Sequence, residues 1–126
     1  MRLASPMLIA TLLSLVAPIV QAEGNAEKGA KVFRKCKACH AVGALAKTGT
    51  GPVLTGVMDA AAMNDPDFQY SDALIKAAQD GLVWDEETLA AFLAKPRDFL
   101  RGTQMSFSGL RKESEIEDII AYLAQQ

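Results

Sequence analysis

The stretch Cys36-Lys37-Ala38-Cys39-His40 holds both cysteines and the single histidine of the 126-residue chain. A Cys-x-x-Cys pair can be a local disulfide or a thioredoxin-like redox motif. The redox motif normally follows a strand, and no strand-like run precedes Cys36. Structural zinc needs four Cys or His ligands, more than the chain has. Covalent haem attachment uses all three residues, because two thiols on one helical turn reach the two vinyl groups of a porphyrin edge and His40 binds the iron. We therefore predict one haem c, attached at Cys36 and Cys39.

The same count restricts the sixth ligand of the iron. Because His40 is the only histidine, the iron is either five-coordinate or takes a methionine, a lysine or another donor opposite His40. An iron with His and Met ligands has a raised potential and no free site, which suits electron transfer. An open iron would suit a ligand-binding or sensing protein, or a haem peroxidase. The sequence has no evident distal acid–base set, so we do not expect an enzyme.

Residues 1–22 have the features of a secretory signal peptide. Arg2 precedes a mainly apolar stretch from Met7 to Ala17, and Val20 and Ala22 occupy the −3 and −1 positions of a cleavage site. The stretch is too short for a comfortable membrane span, although an uncleaved anchor is the alternative. We predict cleavage after Ala22, export to the periplasm, and one mature domain over residues 23–126 with no stable membrane insertion.

The charged residues fall into blocks. Residues 28–47 carry six basic side chains and no acidic one, residues 59–87 carry eight acidic side chains and one basic, and residues 95–112 carry five basic and one acidic. Cleavage would remove Arg2 and change the net charge from −2 to −3. The blocks indicate a charge dipole across the surface rather than a stripe that binds nucleic acid. A scatter of solvated charges is the alternative.

The apolar pattern predicts an all-α domain, because no segment alternates convincingly with a period of two. Asn25 is a good N-cap for a helix to about Lys37, Ser71 for one to about Gln79, and Asp85 opens one that Pro96 ends. The last helix has an apolar stripe and begins with a predicted capping box, Ser114-Glu115-Ile116-Glu117. Residues 42–63, with four glycines, read as a long loop, which is unusual in so small a domain unless it wraps something.

In order along the chain, these motifs resemble those of class I cytochromes c. The resemblance covers nearly all of residues 23–126 and rests on the CKACH stretch, Gly51-Pro52-Val53-Leu54-Thr55-Gly56 and Gly102-Thr103-Gln104-Met105-Ser106-Phe107. It implies the class I fold, in which helices and long loops surround one haem and the last helix crosses the first near Gly29.

The resemblance also implies roles for individual residues. The Pro52 carbonyl would accept a hydrogen bond from Nδ1 of His40, which orients the ring and raises its basicity. Tyr70 and Trp84 would lie beside the haem propionates. Met105 matches the family's axial methionine, whereas Met58 and Met63 fit apolar loop packing.

Four residues, at three places in the chain, depart from the family's usual pattern. Arg101 replaces a proline, Phe92 replaces a tyrosine near the methionine, and Asp59 and Ala60 lie where a Gly-Arg pair is common.

We expect a monomeric one-electron carrier whose two basic blocks surround the exposed haem edge. It would dock on an acidic surface of a cytochrome bc1-type complex, an oxidase, a reaction centre or a dehydrogenase, with rates that fall as ionic strength rises. The residues do not identify which of these complexes is the donor or the acceptor.

Overall fold

The computed structural model describes residues 23–126, so the predicted signal peptide and its cleavage site lie outside the described residues. Within that range the chain forms five α-helices and one 3₁₀ turn: α1 Ala26–Val32, the turn Phe33–Lys35, α2 Asp72–Gln79, α3 Glu86–Ala94, α4 Pro96–Phe99 and α5 Glu113–Leu123. The extended pairing in the described residues is a single antiparallel bridge between Ala61 and Val83. The prediction of an all-α domain is confirmed.

The terminal helices α1 and α5 form the main helix pair. Gly29 lies at their crossing, where a Cβ atom would overlap the Asp118 carbonyl oxygen and lie 2.7 Å from Cβ of Tyr122. Beside it, the Phe33 and Tyr122 rings pack with their centroids 5.3 Å apart. Glycine at position 29 therefore permits the close approach of the two backbones, at the crossing that the resemblance implies.

The first helix is shorter than predicted. It ends as an α-helix at Val32 and tightens into the 3₁₀ turn, so the expected continuation to Lys37 is wrong. The Cys36 N–H donates to the Phe33 carbonyl at 2.8 Å, and the His40 N–H donates to the Cys36 carbonyl at 2.9 Å. Tighter turns of this kind are common at helix ends, and here they bring Cys36, Cys39 and His40 together on one short bend.

The other helix starts test the capping predictions. The side chains of Ser71 and Asp85 accept hydrogen bonds from the N–H groups of Leu74 and Thr88, which confirms both caps. The predicted cap at Ser114 is wrong, because α5 begins at Glu113 and its N-cap, Lys112, makes no side-chain bond. The earlier start places Glu113 and Glu115 in the first turn, where acidic side chains favour the positive end of the helix dipole.

The loop over residues 42–63 is held mainly by bonds to its own backbone and neighbours. Gly43 and Gly56 adopt left-handed φ angles of 108° and 70°, and the Thr55 hydroxyl bridges the loop by bonding both the N–H and the carbonyl of Gly43. Near its end the loop runs beside Trp84, and the backbone N–H of Trp84 donates to the Ala60 carbonyl at 2.9 Å. No helix in residues 23–126 is long and apolar enough to cross a membrane.

Candidate haem site

One cavity of about 330 Å³ brings the predicted site residues together. Cys36, Cys39, His40 and Met105 line it. So do the three residues expected around the haem: Pro52, Tyr70 and Trp84. Most of the remaining wall is apolar and comes from the loop after His40, from α3 and from α5. A pocket of this size and lining suits a flat, largely apolar cofactor with a few polar groups.

His40 is held from two sides. Its Nδ1 lies 2.7 Å from the Pro52 carbonyl oxygen, so Nδ1 carries the proton and Nε2 is the nitrogen left for a metal. Gly51 packs flat on the ring, since a Cβ atom there would lie 2.6 Å from Cε1 and 2.8 Å from Nδ1. The Gly51 N–H in turn donates to the Cys39 carbonyl at 2.8 Å. The loop therefore fixes both the tautomer and the orientation of the imidazole.

The two thiols differ in their surroundings. Cys36 is half-buried and Cys39 is exposed, and no disulfide joins them. Burial raises the pKa of the Cys36 thiol, although the Lys35 ammonium opposes part of this effect. Both thiols line the same cavity as His40, which is the arrangement that attachment of one porphyrin edge requires.

Of the three methionines in residues 23–126, Met105 is the one that lines the cavity. Met58 packs against the hydrophobic core, and Met63 is 43% exposed. The Met105 N–H donates to the Thr103 hydroxyl at 3.3 Å, which braces the turn that follows Gly102. Gly102 has a left-handed φ of 90°, and a Cβ atom there would lie 3.2 Å from Cβ of Ala73 in α2. The methionine loop thus lies close against α2.

An aromatic cluster contributes two residues, Trp84 and Phe92, to the wall of the cavity. The Trp84 and Phe92 ring centroids are 5.0 Å apart, and Phe99 packs on both at 6.2 Å and 6.0 Å. Phe92 contributes no hydroxyl here, so this part of the lining is more apolar than it would be with a tyrosine.

The polar part of the wall includes Tyr70. Its hydroxyl oxygen accepts a hydrogen bond from the Asp65 N–H at 2.9 Å, which leaves the hydroxyl proton free for an acceptor in the cavity. Desolvation raises the pKa of Tyr70, so the hydroxyl keeps its proton and remains a donor. Tyr70 and the buried Trp84 are the natural donors to a carboxylate within the cavity.

Sequence reasoning missed Asp65. It is one of the eight acidic residues of block 59–87, yet it is only 7% exposed and accepts three hydrogen bonds. The bond from the Thr48 hydroxyl, reinforced by the Val53 N–H, holds the pKa of the Asp65 carboxyl below its usual value of 3.8. The local signal was the Asp-Pro-Asp sequence, in which an aspartate side chain often bonds the backbone two residues on.

The fold and the cavity define a small all-α haem protein with the class I arrangement. The cytochrome c family model matches residues 26–126. The chain is 43% identical to cytochrome c2 of Agrobacterium tumefaciens over 101 residues, covering 80% of this chain and 91% of that protein. It is 45% identical to cytochrome c2 of Rhodomicrobium vannielii over 105 residues, covering 83% and 82%.

Solved structures give the same result. Cytochrome cH from Methylobacterium extorquens superposes with a TM-score of 0.74 at 41% identity, covering 82% of this chain and 100% of that one. Cytochrome c2 from Rhodospirillum centenum superposes with a TM-score of 0.77 at 41% identity, covering 81% and 98%. The chain therefore belongs to the cytochrome c family. It carries a covalent c-type haem and acts as a one-electron carrier.

Proposed function

We propose that this chain shuttles electrons between redox complexes in the periplasm, with its haem attached at Cys36 and Cys39 and its iron ligated by His40 and Met105. The observation that carries the proposal is the single cavity lined by all four side chains. When bound, the haem supplies the one-electron chemistry of its iron. The protein's own groups set how readily that electron is gained and lost.

His40 and Met105 would act in opposite directions on the iron of a bound haem. The Pro52 carbonyl, 2.7 Å from Nδ1 of His40, makes the imidazole a stronger electron donor, which favours ferric iron. The soft thioether of Met105 favours ferrous iron and raises the potential. With both positions filled, the iron has no free site, as a carrier requires.

The cavity wall supports fast electron exchange. Its apolar side chains would exclude water from a bound haem, so that few solvent dipoles would reorient when the charge on the iron changes. The hydroxyl of Tyr70 and the indole of Trp84, which both line the cavity, would donate to the propionates of a bound haem and stabilise their negative charge. These donors take on more of that task because the Gly-Arg pair is absent at Asp59 and Ala60.

Partner docking involves the two basic blocks. All eleven of their lysines and arginines are exposed: Lys28, Lys31, Arg34, Lys35, Lys37, Lys47, Lys95, Arg97, Arg101, Arg111 and Lys112. Lys35 also lines the cavity. This supports docking by a basic face on an acidic surface of a bc1-type complex, an oxidase, a reaction centre or a dehydrogenase.

The axial ligation is tested with Met105→Ala, using Met58→Ala as the matched control. The oxidised wild-type protein should show the weak iron–thioether charge-transfer band, and Met105→Ala should lose it while Met58→Ala keeps it. The reduced wild type should resist carbon monoxide. Ready carbon monoxide binding by the wild type would instead support a ligand-binding or sensing protein.

The docking model is tested by the ionic-strength dependence of electron transfer to a purified acidic partner. We expect the rate to fall as salt is added, and Arg97→Gln to flatten that dependence more than Lys76→Gln, which changes a lysine outside both blocks. A rate that rises with salt would contradict the model.

Export is tested separately by the N-terminal residue of the mature periplasmic protein, expected to be Glu23.

A further inference from the structure

Asp65 is an aspartate with a buried carboxylate, and its partners connect it to the haem site. One carboxylate oxygen, Oδ2, accepts hydrogen bonds from the Thr48 hydroxyl at 2.6 Å and from the Val53 N–H at 2.8 Å. The other, Oδ1, accepts from the Asp67 N–H at 3.0 Å. Three donors fix the carboxylate firmly, and two of them belong to the loop that carries Pro52.

The peptide group between Pro52 and Val53 is bonded at both ends. Its carbonyl oxygen accepts from Nδ1 of His40 at 2.7 Å, and its N–H donates to Asp65 at 2.8 Å. These two atoms belong to one conjugated amide. Donation of the N–H to an anion shifts electron density towards the carbonyl oxygen, so the amide becomes a stronger acceptor for His40, because hydrogen bonds in a chain polarise one another.

The structure assigns to Asp65 the role of a positioning residue that acts on His40 through the Pro52–Val53 peptide and favours ferric iron. The carboxylate does not touch the imidazole; the intervening amide transmits its charge. The Asp65 backbone contributes separately, because its N–H holds the Tyr70 hydroxyl oxygen at 2.9 Å. This inference rests on the proposed ligation of the iron by His40.

The decisive variant is Asp65→Asn, with Asp67→Asn as its control. Asparagine keeps the shape but removes the charge, and it cannot offer acceptors both to Val53 and to the Asp67 N–H. Asp67→Asn removes the same charge from an exposed side chain two residues away. A hydrogen bond to a charged acceptor is roughly twice as strong as one to a neutral acceptor, so the polarisation of the peptide should fall markedly in Asp65→Asn alone.

The readout is the His40 ring N–H in ¹⁵N-labelled ferrous holoprotein. We expect its proton resonance to move upfield and its exchange with solvent to become about tenfold faster in Asp65→Asn, with little change in Asp67→Asn. We also expect the ferric preference to fall about threefold relative to that control, which raises the potential by about 28 mV, at 59 mV per tenfold for one electron. Equal His40 resonances and exchange rates in the two variants would overturn the assignment.

Two further measurements separate this inference from its premises. The unfolding free energy of each variant shows whether faster exchange merely reflects global destabilisation, and exchange that tracks global stability in both variants counts against the inference. If Asp65→Asn does not yield holoprotein, the wild type must still show scalar coupling across the hydrogen bond between Val53 N and Asp65 Cγ; its absence refutes the relay. Absence of the iron–thioether band from the oxidised wild type would instead refute the proposed ligation itself.

Discussion

Gly51→Ala tests how tightly the loop clamps His40. The added Cβ atom would lie 2.6 Å from Cε1, 2.8 Å from Nδ1 and 3.0 Å from Nε2 of the ring. Carbon atoms in contact prefer separations of about 3.5–4.0 Å, so either the ring or the backbone must move by roughly 1 Å. Both movements strain the bond between Nδ1 and the Pro52 carbonyl. Overpacking costs about 1–3 kcal/mol and the weakened bond about 1 kcal/mol, so we expect a loss of roughly 2–4 kcal/mol.

Gly49→Ala is the matched control for this change. A Cβ atom at position 49 would meet nothing closer than the Cys39 carbonyl oxygen at 3.7 Å, an ordinary contact. Both substitutions restrict the unfolded chain to the same extent, so the difference between them isolates the clash with the ring. Denaturant unfolding of the two holoproteins should separate them by at least about 2 kcal/mol. Equal stabilities, with the thioether band intact in both, would show that His40 is not clamped as argued.

Three other changes test separate parts of the molecule. Gly29→Ala should lower the thermal midpoint, because the Cβ atom would overlap the α5 backbone. The overlap should cost about 2 kcal/mol or more, despite alanine's better helix propensity. A rise in the midpoint would contradict the close packing of α1 against α5. Phe92→Tyr adds a hydroxyl to the cavity that Met105 also lines, and a hydrogen bond from that hydroxyl to the Met105 sulfur should raise the potential in a redox titration. An unchanged potential would show that this bond does not form. The hydrogen bond from the Thr88 N–H lowers the pKa of the Asp85 carboxyl. Asp85→Ala should therefore destabilise the protein fully above about pH 4, and the loss should fade as the pH falls further and the carboxylate is protonated. Urea unfolding at several pH values measures this dependence.

The parts of the site that sequence predicted are those set by local spacing. Cys36, Cys39 and His40 lie within five consecutive residues, and a short turn is enough to bring them together. The caps at Ser71 and Asp85 depend on bonds to N–H groups three residues on. Such short-range bonds leave a clear trace in the order of the residues.

The two errors both concern where a helix begins or ends. The predicted cap at Ser114 competed with a helix start two residues earlier. Both starts place two glutamates in the first turn, so propensity alone does not decide between them. The first helix was expected to continue because residues up to Lys37 suit a helix, but the turn that positions the cysteines requires tighter backbone bonds. In the first helix, therefore, a tertiary requirement overrode local preference.

Asp65 shows what the order of residues does not contain. Its burial depends on Thr48 and Val53, which lie 17 and 12 positions away. The Asp-Pro-Asp sequence indicates only the local bond from the Asp67 N–H, and it does not indicate that the side chain is buried among distant partners. A structure was needed to show that its carboxylate and the His40 ring are bonded to opposite ends of one peptide group.

In the proposed ligation, the two faces of the haem are tuned by different segments of the chain. On the histidine side, the charge of Asp65 acts through the Pro52–Val53 peptide and favours ferric iron. On the methionine side, the apolar Phe92 replaces a hydroxyl that could bond the sulfur. Loss of that bond leaves the thioether a better donor, which also favours ferric iron. Because Asp65 and Phe92 act in the same direction, the double variant Asp65→Asn with Phe92→Tyr should raise the potential by nearly the sum of the single effects, since the two segments share no bonded partner.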